Sequence, residues 1–362
     1  MTMPGKTLSR YIFRRYCLSL AAGMASILLL IYLVDFIEMF RRASGTASVS
    51  LGAAALLSLL RAPSIAEQAM PFVVLASSMF ALFDLGRRME LVVARAAGVS
   101  AWQFLSPALF AAGALGVFMV VAYNPAAAYM KESADRLEAR LFGGPSLETD
   151  TSLWFRQRGV DGQSIVHANQ SSDRGARLNG VTAFVFEDDG SFVERVDAAS
   201  AALMPGFWSM KDARINAVGQ EVREVGEYIL ATNLRAGQAT QAFTPPDSVP
   251  FWSLPEVARR TVQAGLDANR YRLRFQSLLA TPAFFVAMVL IAATFSLRFF
   301  RSGGLGFLAA GGVGAGFVLY VATKIIGDLG GAGLLSAPVA AWSPAVIGGF
   351  LGTLALLYQE DG

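Results

Sequence analysis

The sequence contains little of what most enzyme and metal sites require. Among its 362 residues there is one cysteine, Cys17, and one histidine, His167. A single cysteine excludes an intramolecular disulfide framework, a zinc site built on several cysteines, and an iron–sulfur cluster held by several thiolates of this chain. A single histidine excludes His-rich metal sites and leaves Ser/His or Cys/His catalysis dependent on one residue. We therefore predict no catalytic residues, no metal site and no cofactor.

Charged residues are also scarce. They make up 16% of the chain, whereas apolar residues make up 54% and the mean hydropathy is +0.47. Soluble proteins carry roughly a quarter of their residues charged. The formal net charge of +3 is too small to indicate a nucleic-acid partner. This composition is typical of a membrane protein, in which the position of the basic residues matters more than their number.

Six runs without Asp, Glu, Lys or Arg each contain an apolar segment that can span, or nearly span, a bilayer. The runs are residues 16–34, 68–83, 96–130, 275–297, 302–323 and 329–359. Since a spanning helix needs about 20 apolar residues, we predict six transmembrane helices. The first run is too long for a signal peptide, so we expect it to be retained as an anchor. A seventh run, 43–60, is apolar only from Leu51 to Leu60, and we interpret it as an interfacial lead-in to helix 2.

Basic residues predict how the helices are oriented. They cluster ahead of helix 1, between helices 2 and 3, and between helices 4 and 5, as Lys6, Arg10, Arg14, Arg15, Arg87, Arg88, Arg95, Arg298 and Arg301. Loops enriched in Lys and Arg remain in the cytoplasm. We therefore predict cytoplasmic N- and C-termini, and residues 131–270 on the opposite side of the membrane.

Residues 131–270 differ from the rest of the chain, because they contain charged residues, turn signals and short alternating runs. The runs that predict strands are 152–157, 164–168, 181–186, 191–196, 208–216 and 227–232. Asp189-Gly190 lies between two of them and predicts a hairpin. Their spacing favours an antiparallel sandwich or jelly roll. Residues 254–271 then predict a helix that leads back to the membrane.

The predicted fold class is therefore membrane α-helical, with six transmembrane helices and an inserted all-β, jelly-roll-like extracytoplasmic domain. Residues 1–130 would hold helices 1–3. Residues 131–270 would form the β-domain with its connecting helices, and residues 271–362 would hold helices 4–6.

Several basic residues are not explained by the positive-inside rule, since they fall at the outer ends of the predicted helices. They are Arg41, Arg42, Arg61, Lys131, Arg136, Arg140, Arg270, Arg272 and Arg274. Guanidinium groups at one depth suit phosphate or carboxylate groups, and therefore an anionic amphiphile. The alternative is interfacial snorkelling and ion pairing with Glu38, Glu67, Glu132 and Asp135. For any single residue both interpretations stay open, while the collective pattern favours the lipid.

The loop between helices 2 and 3 contains a short amphipathic segment, residues 86–98. Glu90 lies near its start, and Gly98 is expected to stop it. A two-turn helix rarely folds alone, so its apolar residues Leu91, Val92 and Val93 need a surface to pack against. We favour a groove on a cytoplasmic partner subunit over the protein's own membrane face.

Residues in both membrane halves resemble a known family. Around the second helix the matching segments are Met70-Pro71-Phe72, Gly86-Arg87-Arg88-Met89-Glu90-Leu91 and Arg95-Ala96-Ala97-Gly98-Val99-Ser100. Elsewhere they are Arg10-Tyr11-Ile12, Asp35-Phe36, Arg41-Arg42, Tyr271, Pro282, Gly316-Phe317, Tyr320 and Ala341-Trp342-Ser343-Pro344. This set resembles the lipopolysaccharide-export permeases, the LptF/LptG family. The last segment is more similar to the LptG branch.

The resemblance implies a non-catalytic permease subunit of an ATP-driven exporter in the bacterial inner membrane, which extracts lipopolysaccharide and passes it to a periplasmic bridge. The implied partners are an LptF-type permease, an LptB ATPase dimer that hydrolyses the ATP, and the periplasmic proteins LptC and LptA. The implied contacts are Glu90, Leu91 and Arg95 with the ATPase, and Arg41, Arg42, Lys131 and Arg136 with lipid A phosphates. The alternative is an envelope assembly or signalling protein with a periplasmic sensing domain, which needs no phosphate-binding ring.

Overall fold

A computed structural model describes residues 6–44, 50–141, 153–159, 162–172, 176–187, 190–217, 219, 221–233, 245–263, 267–302 and 305–361. The chain divides into two compact units. One comprises residues 1–42, 54–130 and 273–362, and the other comprises residues 43–53 and 131–272. The first is helical, and the second contains a β-sheet.

The helices account for the membrane-spanning part of the chain. In chain order they are α1 (Lys6–Ser44), α2 (Leu51–Arg87), α3 (Glu90–Ala96), α4 (Ala101–Phe118), α5 (Asn124–Leu141), α6 (Leu254–Gln263), α7 (Asn269–Ser302), α8 (Leu305–Gly331) and α9 (Ala337–Asp361). A π-helical segment, Met119–Tyr123, joins α4 to α5. Among the described residues, six helical stretches are long and apolar enough to cross a membrane. The prediction of six transmembrane helices is confirmed.

Several helices extend beyond the uncharged runs that predicted them. Helix α1 is 39 residues long, because helical backbone continues through the charged residues at both ends of the apolar run. Residues 51–60 belong to α2 and are not a separate lead-in, since the helix continues without interruption through Arg61. The helix predicted over 254–271 is two helices, α6 and the start of α7.

Small residues bring the helices of the first unit into close contact. The core lies between α1, α2, α4 and α7, where buried residues such as Tyr16, Met70 and Phe285 pack together. At Gly116 of α4, an added Cβ would overlap the backbone atoms of Pro282 in α7. At Gly113, one turn earlier, the nearest atom to an added Cβ would be a Val286 methyl group at 3.7 Å, an ordinary contact. Only the first position therefore requires glycine for packing.

The second unit contains an antiparallel sheet. Its strands are β1 (Leu153–Gly159), β2 (Gly162–Ser172), β3 (Arg177–Phe186), β4 (Phe192–Met204), β5 (Phe207–Ala217) and β6 (Arg223–Ala231). The inserted all-β domain is confirmed. The six strands pair in chain order as a meander, where a jelly roll would have crossing connections. In the predicted hairpin, Gly190 has φ +87°, while Asp189 lies outside the described residues.

The core of the sheet lies on one face and includes polar groups at one end. Ala183, Val196 and Ile215 are neighbours across β3, β4 and β5, and all three are buried. The buried Gln157 side-chain oxygen accepts hydrogen bonds from Trp208 Nε1 at 3.0 Å and from Thr232 Oγ1 at 2.7 Å. Since Gln157 lies on β1 and Thr232 directly follows β6, these bonds draw together the two edges of the described sheet.

Substitution of Gly116 tests the helix packing. We expect Gly116→Ala to lower the stability by about 2 kcal/mol, because the methyl group overlaps backbone that has no alternative rotamer. Gly113→Ala is the matched control and should cause no loss, since alanine is also the better helix former. Thermal unfolding of the detergent-solubilised protein measures both. Equal unfolding temperatures for the two variants would contradict the packing at Gly116.

Candidate functional site

The corner between α2 and α3 is a strained turn. Helix α2 ends at Arg87, and Met89 adopts φ +60° before α3 begins at Glu90. The Met89 N–H donates to the Gly86 carbonyl oxygen at 2.8 Å. The left-handed conformation costs a non-glycine residue about 1 kcal/mol, and such residues persist where surrounding contacts impose the chain direction.

Helix α3 ends as predicted but begins later. Gly98 has φ +80°, and its N–H donates to the Arg95 carbonyl oxygen at 2.9 Å. This glycine termination is confirmed. The helix itself covers Glu90–Ala96, so it is shorter than the predicted segment 86–98, because the residues up to Arg87 continue α2.

The faces of α3 have different surroundings. Leu91 is 3% exposed and packs with Leu82, Leu85 and Phe104 of the same unit. Val93 is 67% exposed. The side chains of Met89 and Arg95 are also exposed, whereas the Val92 side chain lies outside the described ones. The sequence predicts that all the apolar residues of this segment contact a partner subunit. In the structure, Leu91 packs against helices of this chain, whereas Val93 remains exposed.

Glu90 lies in a cluster of charged and polar groups that joins α1, α2 and α3. Its Oε1 accepts a hydrogen bond from the Tyr11 hydroxyl at 3.1 Å and lies 3.5 Å from Arg15 Nη1. Arg15 also forms an ion pair with Asp84 of α2. Arg88 Nε lies 3.3 Å from the other Asp84 oxygen. Two arginines and two carboxylates therefore balance one another at this corner.

At the opposite end of α1, Glu38 pairs with both predicted lipid-binding arginines of that helix. Arg41 Nη2 lies 2.8 Å from Glu38 Oε2, and Arg42 Nε lies 3.0 Å from Oε1. Both arginine side chains remain exposed to solvent, by 76% and 54%. Exposed pairs of this kind contribute at most about 1 kcal/mol. The ion pairing considered as an alternative is thus present, and it leaves guanidinium surface open.

The other two predicted lipid-binding residues lie on α5, in the second unit. Arg136 donates to Glu132 Oε1 across one helical turn, and the Arg136 side chain is exposed. Lys131 is partly buried. Arg136, like Arg41 and Arg42, is paired with a carboxylate of its own helix.

A third charged cluster lies within the helical unit, where the side chains of Arg274 and Glu67 are 22% and 12% exposed. Arg274 Nη2 of α7 lies 2.6 Å from Glu67 Oε1 of α2, and Asn124 Nδ2 of α5 lies 3.1 Å from both carboxylate oxygens. Asn124 is 1% exposed. The preceding Tyr123 donates from its hydroxyl to the Pro63 carbonyl oxygen of α2 at 3.0 Å. This cluster therefore ties three helices together at one depth.

Sequence reasoning found the charges of this cluster but not its arrangement. It named Glu67 as an ion-pairing carboxylate without a specific partner, and the structure pairs Glu67 with Arg274. It did not single out Asn124. The available signal was an amide side chain within the longest uncharged run, residues 96–130, since polar residues within transmembrane helices usually have a partner.

These charge clusters, the six candidate spans and the inserted sheet define a multi-pass α-helical membrane protein with an extra-membrane β-domain. The sequence matches the family described as "Lipopolysaccharide export system permease LptF/LptG" over residues 10–359. The chain therefore belongs to the LptF/LptG family of lipopolysaccharide export permeases.

Two relatives support the same assignment. The chain is 24% identical over 333 residues to the lipopolysaccharide export system permease protein LptG of Escherichia coli (strain K12), an alignment that covers 90% of this chain and 91% of the relative. It is 23% identical over 334 residues to the protein of the same name from Haemophilus influenzae, with 89% and 90% covered. The similarity to the LptG branch is thereby confirmed. Membership of this family favours transport over the assembly or signalling alternative.

The buried pair yields a stability prediction. Glu67→Ala removes the carboxylate that forms an ion pair with Arg274, whose side chain is only 22% exposed. We expect a loss of about 3 kcal/mol. The matched control is Glu38→Ala, which removes an exposed carboxylate and should cost under about 1 kcal/mol. Both are measured by thermal unfolding in detergent. A loss for Glu67→Ala no greater than that for the control would contradict the buried ion pair.

Proposed function

We propose that the chain is the transmembrane permease subunit of an ATP-driven lipopolysaccharide exporter in the bacterial inner membrane. It works with an LptF-type permease and an LptB ATPase dimer, and passes the lipid to the periplasmic proteins LptC and LptA. The ATPase hydrolyses the ATP, and this chain has no catalytic role. The observation that carries the proposal is α3, a short helix with one packed face and one exposed face, in a chain of this permease family.

The exposed face of α3 is the proposed ATPase contact. Glu90 begins the helix with its side chain 31% exposed. The exposed surface of the helix also includes the apolar side chain of Val93, one turn further on, and the positively charged side chain of Arg95. This suits an apolar groove with polar groups at its rim. Leu91 contributes as the anchor that fixes α3 to the permease, so a force applied to α3 reaches the helices beneath it.

The outer end of α1 is the proposed lipid A contact. A phosphate group carries more negative charge than a carboxylate and accepts paired hydrogen bonds from a guanidinium group. Arg41 and Arg42 can therefore exchange part of their pairing with Glu38 for a lipid phosphate. Lys131 and Arg136 of α5 are proposed as further contacts with lipid A phosphates.

The proposed topology follows from the basic residues. The N- and C-termini and α3 lie in the cytoplasm, and the β-domain lies in the periplasm, from where it hands the lipid to the bridge.

The LptF-type partner is proposed to contact exposed apolar stripes at one-turn spacing on two helices. The stripes are Leu29, Leu33 and Ile37 on α1, and Val313, Phe317, Val321 and Ile325 on α8.

Photocrosslinking in cells tests the lipid contact. A photoreactive amino acid at position 41 or 42 is expected to form covalent adducts with lipopolysaccharide, and the yield should change when the ATPase is inactivated. The control is the same amino acid at position 14, since Arg14 is an exposed arginine near the opposite end of the same helix. Adducts with proteins only, at both outer positions, would contradict the proposed function.

Charge reversal tests the ATPase contact. We expect Glu90→Lys to weaken the association of the ATPase dimer with the full permease complex about thirtyfold or more. The reason is that the lysine would place a positive charge against an ATPase surface that is matched to a carboxylate. Glu38→Lys reverses a carboxylate at the far end of α1 and should leave association unchanged. Co-purification at graded ATPase concentrations measures both. Association of Glu90→Lys at the level of the control would contradict the role of Glu90.

A further inference from the structure

Arg15 contacts three side chains from three helical segments. It donates to the Tyr11 hydroxyl one turn earlier on α1, it forms an ion pair with Asp84 near the end of α2, and its Nη1 lies 3.5 Å from Glu90 Oε1 at the start of α3. Only 21% of the Arg15 side chain is exposed. A planar guanidinium group can hold two carboxylates at once, which a lysine ammonium group on a flexible stem does less well.

The contacts of Arg15 link the two helices on either side of the turn between α2 and α3, where Met89 has a strained backbone conformation. On one side of the corner, Asp84 belongs to the last turn of α2. On the other side, Glu90 opens α3, and Leu91 is buried directly after it. Arg15 therefore bonds to both sides of the bend. A displacement of α3 that preserves these bonds must move Arg15 as well.

Helix α1 is built to carry such a displacement along its length. It is one continuous helix without proline from Lys6 to Ser44. Next to Arg15 it is bonded to α2 through Tyr16 and Ser78 side-chain oxygens, 2.8 Å apart, and through Ser19 Oγ, which donates to the Ser77 carbonyl oxygen at 2.9 Å. Arg41 follows Arg15 by 26 positions, which corresponds to about 39 Å along the helix axis.

We infer that Arg15 is a positioning residue that clamps α1 to the corner between α2 and α3, so that movement of α3 is passed through α1 to the arginines at its outer end. The inference rests on the proposed function, which assigns ATPase contact to α3 and lipid contact to Arg41 and Arg42. It adds the connection between these two sites, and it places the connection in one ion-paired cluster.

A distance measurement tests the clamp without any transport assay. The full chain with Cys17→Ser has no cysteine, and cysteines at the exposed positions Leu18 and Ala96 then carry spin labels on α1 and α3. Double electron–electron resonance spectroscopy in nanodiscs should give one narrow distribution of the distance between the two labels. Arg15→Gln should broaden and shift it, whereas Arg14→Gln, which removes the same charge from the adjacent exposed arginine, should not.

Asp84→Asn provides a second way to break the clamp if Arg15→Gln lowers the yield of folded protein. It leaves Arg15 and Glu90 in place and removes the charge that holds Arg15 to α2. We expect the same broadening as for Arg15→Gln. An unchanged distance distribution in both variants would overturn the inference.

Transport assays then separate transmission from simple structural support. In the complete permease–ATPase complex in nanodiscs, Arg15→Gln is expected to lower the lipopolysaccharide released per ATP hydrolysed about fivefold, the effect of a modest coupling energy. The rate of ATP hydrolysis should stay at the level of Arg14→Gln. Parallel loss of hydrolysis and release would overturn the transmission role.

The two levels of the argument fail in different ways. An unmutated complex that hydrolyses ATP without releasing lipopolysaccharide would overturn the proposed function and, with it, transmission to the lipid. The distance distributions would still decide whether Arg15 clamps α1 to α3, because they need neither ATP nor lipopolysaccharide.

Discussion

The cost of an uncompensated charge in a membrane constrains the arrangement of the helices more than any other factor. Helix α2 shows this most clearly, since a carboxylate flanks each end of its uncharged run, residues 68–83. Glu67 is neutralised by Arg274 of α7, and Asp84 is neutralised by Arg15 of α1. Each pairing joins α2 to a different helix, so compensation of charge also determines which helices are neighbours. Buried charges contribute specificity of this kind even where their net contribution to stability is small.

Close backbone contacts also determine how the helices pack against one another. The Gly116 approach to Pro282 fixes α4 against α7, and Asn124 adds hydrogen bonds to Glu67 just beyond the π-helical segment. Without hydrophobic attraction between helices in lipid, small residues and hydrogen bonds are the main sources of helix association. The charged cluster and the glycine contact therefore both hold α7, one through polar bonds and the other through close packing.

The parts of this structure that could be predicted from the sequence are those set by local composition. The uncharged runs predicted the six spans because a charge is excluded at the bilayer centre whatever the tertiary structure. Alternation predicted the strands because it reflects the two faces of each one. The partner of Glu67 and the burial of Leu91 could not be predicted, since they depend on which helices become neighbours. The strand order could not be predicted either, because a meander and a jelly roll require the same alternating runs.

The pairing of Arg41 and Arg42 with Glu38 bears on how an exporter can release what it binds. In the absence of lipid, the carboxylate offsets repulsion between two adjacent guanidinium groups. Because these ion pairs are exposed, each is weak, and a lipid phosphate can displace Glu38 at a small cost in free energy. When the phosphate leaves, the arginines pair with Glu38 again. The less exposed pair of Arg274 with Glu67 is unsuited to such exchange, because displacing Arg274 would leave the Glu67 carboxylate poorly solvated. Weak self-pairing at the C-terminal end of α1 thus suits a reversible lipid-binding site in the proposed exporter.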